Sequence, residues 1–438
     1  MPNVMQIKFV SVLVSLCLLA STNAFAVDIA YYAGARAAYS DNIRLQPVVE
    51  ENESPLSVLA GVQVTEESSL MSLSLDSDLQ YINYTQNTFS DEILGDLNLD
   101  LVAYAIPDRL SWIVTNNWGQ LLEDTLSAPS PSNREDVNIF STGPDLYFLF
   151  GKTNRLTLFG RYVDDYYEIR DFDSERVNYG ASYVRFLPGE RSIGVYGVRT
   201  DVDYDSMALT DYNRNDLFLR FESETSKSQF RLDAGYSELE RDFDGATDDG
   251  ILAELEFSRD ISGTSKVIAL YSYSYSDSGE RFTDISSGSE DLATDDIAEV
   301  PDPFRLEEFR IGFDRSTGVD NFRLALGAQE EEYTVSIDRD RQIREVEASY
   351  SRSLNKAISV GIAGNFTNRD YDNRDREDDD WNVDLFGIYE LSRNLDIRLE
   401  LSTLERSSSG ADISSTSDGY DENRAFIEVR YSVGEFVR

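Results

Sequence analysis

The sequence predicts an all-β protein: a transmembrane antiparallel up-and-down β-barrel of about 20 strands, with about 18 or 16 as alternatives. Three observations lead to this prediction. Apolar and polar residues alternate along most of the chain, short turns alternate with long acidic connections, and an export signal precedes the first strand. No run of about 18 apolar residues follows residue 27, so a helical membrane span is not expected.

Residues 1–26 have the composition of a secretory signal peptide. Lys8 is the only ionised side chain, an apolar run covers 9–20, and the segment ends in Ala24-Phe25-Ala26. This A-x-A ending predicts cleavage near Ala26, which leaves 27–438 as a single barrel domain. The alternative is a retained membrane anchor, but the apolar run is too short to cross a bilayer as a helix.

Alternation with a period of two is the main evidence for strands. Along 71–81, the odd positions are mostly apolar, and the even positions carry serine, aspartate or glutamine. Side chains of a strand point alternately to opposite faces, so each such segment has one apolar and one polar face. The same rhythm recurs as far as 427–431. Tyr31–Tyr39 is the weakest segment, and Pro144 predicts a bulge or an edge irregularity.

Connections between the segments alternate in length. Stretches of turn-forming composition such as Pro107-Asp108-Arg109 are followed along the chain by longer acidic ones such as Asp370–Asp380 and Ser276–Asp302. Short periplasmic turns and long acidic extracellular loops are typical of outer-membrane barrels. Closure is expected because a sheet in lipid can satisfy its backbone hydrogen bonds only if it has no edges.

Composition excludes several classes of function. The chain contains no histidine, which removes the usual general base of hydrolases and the commonest ligand for zinc or copper. Its one cysteine, Cys17, lies in the predicted signal peptide, so no disulfide is expected after cleavage. The net charge of -42 becomes -43 when the positive charge of Lys8 is lost, which argues against binding nucleic acid.

If the apolar face points outward, the polar face lines the lumen and supplies the candidate site residues. So many ions would be costly in a dry core, so we expect a hydrated lumen. Two interpretations of the mixed, slightly acidic lining remain open: a pore that favours cations or neutral polar solutes, or a ladder of cross-strand salt bridges that stiffens the wall. The predicted lining residues are Asp76, Asp78, Asp96, Asp100, Arg161, Arg214, Asp216, Arg220, Arg231, Asp233, Glu254, Glu256, Arg310, Arg323, Glu345, Glu347, Arg398 and Glu400.

No catalytic, cofactor or metal site is predicted. Carboxylates spread over many strands form no specific acid–base arrangement, so an enzyme is not expected. The acidic stretches Asp242–Asp249, Asp338–Asp340 and Asp370–Asp380 are rich in the oxygen ligands that calcium prefers. None has the spacing of a calcium-binding loop that ends in glutamate, and solvated surface is the simpler interpretation.

The segment Tyr39-Ser40-Asp41-Asn42-Ile43-Arg44-Leu45 resembles a phrase of the PEP-CTERM-system-associated outer-membrane proteins, which are close to the broader β-barrel porin 2 group. In that family a D-N-I-x-L phrase precedes a long acidic loop, as it precedes 46–54 here. Segments 73–84, 133–137 and 158–167 also look like that family. The resemblance implies an outer-membrane barrel found with exopolysaccharide and exosortase machinery, and it includes no catalytic motif.

The leading functional hypothesis is a passive porin-like channel in the outer membrane of a Gram-negative bacterium, associated with exopolysaccharide export. Its expected partners are outer-membrane lipid and the barrel-assembly machinery, and its candidate cargo is polysaccharide or small polar solutes. No interaction with nucleic acid is expected. The alternative hypothesis is a structural or adhesive barrel whose lumen is occluded by inward-folded loops such as Ser276–Asp302.

Overall fold

A computed structural model describes residues 27–48, 50–206, 211–286, 302–412 and 419–434, and for residues 285 and 286 it describes only the backbone. These residues form a 20-stranded antiparallel sheet in which each strand pairs with its neighbours in the sequence. The last strand also pairs with the first, so the sheet closes into a barrel. The predicted fold and strand number are confirmed, whereas the predicted signal peptide, 1–26, lies outside the described residues.

The first half of the barrel consists of β1 (Asp28–Ser40), β2 (Leu56–Glu67), β3 (Met71–Asn83), β4 (Glu92–Ile106), β5 (Leu110–Leu122), β6 (Arg134–Phe150), β7 (Asn154–Tyr167), β8 (Ser174–Leu187), β9 (Arg191–Tyr204) and β10 (Tyr212–Thr225). The second half consists of β11 (Ser228–Arg241), β12 (Thr247–Ser262), β13 (Ser265–Ser276), β14 (Phe304–Ser316), β15 (Asp320–Tyr333), β16 (Arg341–Ser353), β17 (Ile358–Tyr371), β18 (Arg376–Ser392), β19 (Leu395–Ser409) and β20 (Tyr420–Val433). Helix α1 (Ser278–Ser286) lies between β13 and β14, and a 3₁₀ turn, Ile337–Arg339, lies between β15 and β16. Within the described ranges, no helix is long and apolar enough to cross a membrane.

The two faces of each strand have opposite environments. On β10, Leu217 and Leu219 are 62% and 54% exposed, whereas Asp216 beside them is 8% exposed. Successive side chains point to opposite faces, so the leucines lie on the outer surface and the aspartate on the inner one. Outward leucines with no protein to pack against have the environment expected of side chains that contact hydrocarbon.

The strands extend beyond the apolar band at the end of the barrel that carries the longer loops. On β15 the outward side chains change from Phe322 and Leu326 to Glu332, and on β18 the outward Asp379 precedes Trp381. Strands of up to 17 residues are longer than the roughly 9–11 residues that cross a bilayer. Part of the acidic excess of the chain therefore lies on strand ends that stand in water.

The prediction that Asp370–Asp380 forms a long loop is wrong. Strand β17 continues to Tyr371 and β18 begins at Arg376, so only 372–375 connect them. The carboxylate of Asp380 accepts hydrogen bonds from Arg369, which places an ion pair between the two strands. Polar composition does not distinguish a loop from a strand end that stands in water.

Pro144 lies inside β6 and interrupts the pairing with β7. The ladder omits 143–144 and resumes without a change of register, so the irregularity is an interruption and not a bulge. Proline has no amide hydrogen to donate. The two backbones also approach closely, because a Cβ on Gly143 would lie 1.9 Å from the carbonyl oxygen of Gly160. Arg161 Nη1 donates to the carbonyl oxygen of Pro144 at 3.1 Å.

The D-N-I-x-L phrase lies at the seam between β1 and β20. Asn42 is fully buried, and its Nδ2 donates to the carbonyl oxygens of Asp421 at 2.8 Å and Gln46 at 2.9 Å. Its Oδ1 accepts from the amide of Gln46 at 3.1 Å, and Asp41 Oδ1 accepts from the amide of Asn423 at 2.7 Å. The phrase therefore fastens the first connection of the barrel to the start of its last strand.

Replacing Asn42 with alanine should lower the free energy of unfolding by roughly 1–3 kcal/mol, because the carbonyl groups of Gln46 and Asp421 lose a buried donor. Thermal unfolding of the purified barrel in detergent, followed by circular dichroism, measures the effect. The exposed Asn52 of the same connection supplies a control, since Asn52→Ala should leave the transition unchanged. Equal transition temperatures for the two variants would contradict the role of Asn42 at the seam.

Candidate functional site in the barrel lumen

Helix α1 lies inside the barrel. Its Phe282 is 1% exposed and packs against apolar side chains of β5, β6 and β7, including Leu121, Val137 and Val163. On the other side of the helix, Arg281 forms an ion pair with Glu308 of β14 at 2.9 Å. A helix can contact the wall on both sides in this way only from within a closed barrel. The residues that contact α1 therefore define the inward face.

The strand register extends this inward face around the barrel. Arg214 of β10 contacts α1, and along the same inner surface Arg220 lies opposite Asp233, which lies opposite Glu254. The pairing of the other strands continues this face without interruption through the closing pair. By this register the structure places all the predicted lining residues on the face that contacts α1: Asp76, Asp78, Asp96, Asp100, Arg161, Arg214, Asp216, Arg220, Arg231, Asp233, Glu254, Glu256, Arg310, Arg323, Glu345, Glu347, Arg398 and Glu400.

Asp277 anchors the N-terminus of α1. Its Oδ1 accepts a capping hydrogen bond from the amide of Glu280 at 2.9 Å and a further one from Arg176 of β8, and its Oδ2 accepts from the hydroxyl of Tyr212 of β10. The Asp277 and Arg176 side chains are 1% and 3% exposed. Burial alone would raise the pKa of Asp277, but the Arg176 guanidinium and these hydrogen bonds outweigh it and hold the pKa below its usual value.

Two charged residues of α1, Glu280 and Arg281, form further ion pairs with the barrel wall. Arg214 binds both carboxylate oxygens of Glu280, at 2.9 and 3.0 Å. Arg281 donates to Gln329 of β15 at 2.9 Å in addition to its ion pair with Glu308. Because a buried ion is stable only when it is paired, these contacts hold α1 in one position against the wall.

A second connection also crosses the lumen. Residues 123–133 join β5 to β6, yet they contact strands β18 and β19. Arg376 Nη2 donates to the carbonyl oxygen of Leu126 at 2.6 Å, and Arg406 Nη1 donates to that of Ser127 at 3.1 Å. Helix α1 and this β5–β6 loop therefore span the lumen in two different directions, and together they narrow the opening of the barrel.

Many charges of the lining are neutralised by neighbours on the same face. Arg220 pairs with Asp233 at 2.6 Å, Arg310 with Glu347 at 3.0 Å, and Arg398 with Glu400 at 2.6 Å. These are the cross-strand and same-strand contacts of a salt-bridge ladder, the second of the two interpretations of the lining.

One part of the lining is not neutralised. Asp78 of β3 lies opposite Asp96 of β4, and it accepts from the hydroxyl of Tyr32 at 2.6 Å. Asp76 accepts from Gln63 Nε2 at 2.7 Å. No lysine or arginine in the described part of the chain forms an ion pair with the members of this group, which we call the acidic strip: Asp76, Asp78, Asp96 and Asp100.

Among the residues that anchor α1, Arg214 belongs to the set predicted from the sequence, whereas Arg176, Asp277, Glu280, Arg281 and Glu308 do not. Asp277-Ser278-Gly279-Glu280 fits the D-x-x-E pattern at the start of a helix, and this local signal indicates α1 within a stretch interpreted as loop. No local signal identifies Arg176 as the partner of Asp277, because the two residues are 101 positions apart. Such a pairing follows only from the curvature of the whole barrel.

In the acidic connections, carboxylates accept hydrogen bonds from other groups of the protein. Asp340 Oδ1 accepts from the amide of Tyr333 at 2.7 Å, and Asp338 accepts from Arg374 at 2.6 Å. In the stretch Asp242–Asp249, β12 already begins at Thr247. Among the described residues, no three histidine, cysteine, aspartate or glutamate side chains are grouped as a metal site requires.

Comparison with known proteins shows distant likeness only. No family model and no curated protein matches the chain. Similar solved structures include a ferric enterobactin receptor, PfeA, of Pseudomonas aeruginosa (9% identity, 94% of this chain and 81% of that one, TM-score 0.47). Another is the iron transporter FrpB of Neisseria meningitidis (9% identity, 95% of this chain and 83% of that one, TM-score 0.45). A third is the vanillate complex of OpdK of Pseudomonas aeruginosa (10% identity, 93% of this chain and 99% of that one, TM-score 0.36).

The class of this protein follows from its own geometry. A closed antiparallel sheet with exposed leucines outside and ion pairs inside has the construction of a transmembrane β-barrel of the outer-membrane type. The fold places the chain in the outer membrane of a Gram-negative envelope.

Replacing Arg176 with glutamine should release α1 from the wall, because Asp277 would be left buried without its cation. Arg281 is 3% exposed in the anchored helix, so trypsin should cleave there in the variant at least about tenfold faster than in the unchanged chain. Mass spectrometry of limited digests of the folded, detergent-solubilised barrel measures this rate.

The control is Arg199→Gln, which removes an exposed ion pair with Asp201 (38% and 35% exposed) on the outer face. This variant should be cleaved at Arg281 no faster than the unchanged chain. If Arg176→Gln left Arg281 equally protected, the anchoring role of Arg176 would be refuted.

Proposed function

We propose that this barrel is a passive porin-like channel for small polar solutes and that it favours cations over anions. The observation that carries the proposal is the acidic strip, Asp76, Asp78, Asp96 and Asp100, on a lumen wall whose other charges are largely paired. Carboxylates that face a water-filled pore and form no ion pair attract cations and repel anions. Helix α1 and the β5–β6 loop favour small solutes over an extended polymer, because both cross the lumen.

Planar bilayers that contain the purified barrel should show stepwise conductance, with a reversal potential in a KCl gradient that indicates preference for K⁺. The double variant Asp96→Asn/Asp100→Asn should shift the reversal potential toward zero, because half of the acidic strip is removed. The matched control is Glu238→Gln/Glu240→Gln, which removes two carboxylates from the outward face of β11.

The control should retain the reversal potential of the unchanged chain. A conducting barrel whose reversal potential is the same in all three proteins would show that the acidic strip does not set selectivity. A correctly folded barrel that never conducts would refute the channel itself.

The second candidate function is a structural or adhesive barrel with an occluded lumen. The buried ion pairs around Asp277 favour it, because they fix α1 across the lumen rather than leaving it free to move. The Arg176→Gln variant separates the two candidates. If the unchanged barrel is silent and this variant conducts, α1 is a plug; if both conduct, α1 only narrows the channel.

An association with exopolysaccharide export is the finer part of the proposal, and it rests on the resemblance of Asp41–Leu45 to the family phrase. A strain that lacks this chain should release less exopolysaccharide than its parent, and a plasmid copy should restore the release. Polysaccharide in the medium per cell is the quantity to measure. Unchanged release, with the same polymer composition, would remove the association and leave the channel proposal intact.

A further inference from the structure

Helix α1 covers a cavity on the inner wall of the barrel. Its volume is about 450 Å³, which lies within the range of small-ligand sites, roughly 300–1,000 Å³. The wall of the cavity includes the hydroxyls of Thr115, Ser141 and Ser272 and the ring of Phe218, and α1 contributes Gly279 and Glu280. Hydroxyl, charged and aromatic groups therefore line one space that is partly open to the lumen.

Several side chains that line this cavity have a buried polar atom with no hydrogen-bond partner in the described part of the chain. These atoms are Asp165 Oδ1, Arg176 Nε, Asn178 Oδ1 and Arg231 Nε. Asp165 and Arg176 are each only 3% exposed, so neither is a surface group. Buried polar atoms are normally paired, and this set leaves two acceptors and two donors unpaired among the residues that line the cavity.

The charge of the lining selects the class of ligand. Arg176 is paired with Asp277, Arg214 with Glu280, and Arg220 with Asp233. An ionised ligand would have to compete with a partner already in place, and a nonpolar one would leave the unpaired atoms unsatisfied. A neutral molecule with several hydroxyl groups meets both conditions, because each hydroxyl donates and accepts.

We propose that this cavity is a binding site for neutral, polyhydroxylated solutes of the size of a monosaccharide or disaccharide. This proposal rests on the proposed channel function, and it adds the class of solute that binds in the lumen. Asn178 accepts from a ligand hydroxyl, Arg231 donates to a ligand oxygen, and Phe218 supplies an apolar surface for the face of a sugar ring.

Isothermal titration of the full chain in detergent with glucose and with sucrose tests the site, and glutamate serves as the charged comparison. The sugars should bind and glutamate should not. Asn178→Leu removes the unpaired acceptor at nearly constant volume and should weaken sugar binding about fivefold. The matched control is Asn382→Leu, since Asn382 on β18 also has an unpaired Oδ1 but does not line this cavity.

A second variant, Ser141→Phe, fills the cavity and should abolish sugar binding even if Asn178→Leu folds poorly. Gel mobility of unheated samples shows whether each variant has folded. The proposal is overturned if the folded, unchanged chain binds neither sugar, if glutamate binds more tightly, or if both asparagine variants have the same affinity. Conductance by a barrel that binds no sugar refutes only this site, whereas sugar binding by a barrel that never conducts refutes only the channel.

Discussion

Every backbone N–H and C=O group inside a membrane must find its partner within the protein, and the pairing of β20 with β1 is where this chain completes that condition. Without this pair the sheet would have two edges, and with it the sheet has none. The buried Asn42 and its bonds to Gln46 and Asp421 lie at the end of the same seam. The orientation of all other side chains, leucines outward and ions inward, depends on this closure.

The strands were predictable because alternation is a local property. A period of two is visible within ten residues, and it does not depend on distant contacts, so the barrel and its strand number follow from it. Local polarity is less informative at strand ends. Asp370–Asp380 has the composition of a loop, yet its first and last residues belong to paired strands, because the ends of β17 and β18 stand in water and have no need of apolar side chains.

The interior is harder to predict than the wall. The face of each charged residue follows from alternation, but its partner does not. Arg220 and Asp233 become neighbours through a tight turn, whereas Arg176 meets Asp277 only because α1 returns into the lumen. The acidic strip is likewise defined by the absence of arginines on β2 to β5, and the sequence shows this only once the order of the strands around the barrel is known.

The position of α1 also has a consequence for the order of assembly. Its anchors lie on β7, β8 and β10, which precede it in the chain, and on β14 and β15, which follow it. These partners come together only when the intervening strands have paired and curved. Helix α1 therefore cannot make all of its contacts before those strands are in place. Contacts between residues so far apart in the sequence require long loops to close first, which costs conformational entropy. The contacts around α1 are therefore complete only when strands on both sides of it in the sequence are in place, whereas those of a β-hairpin involve neighbouring residues alone.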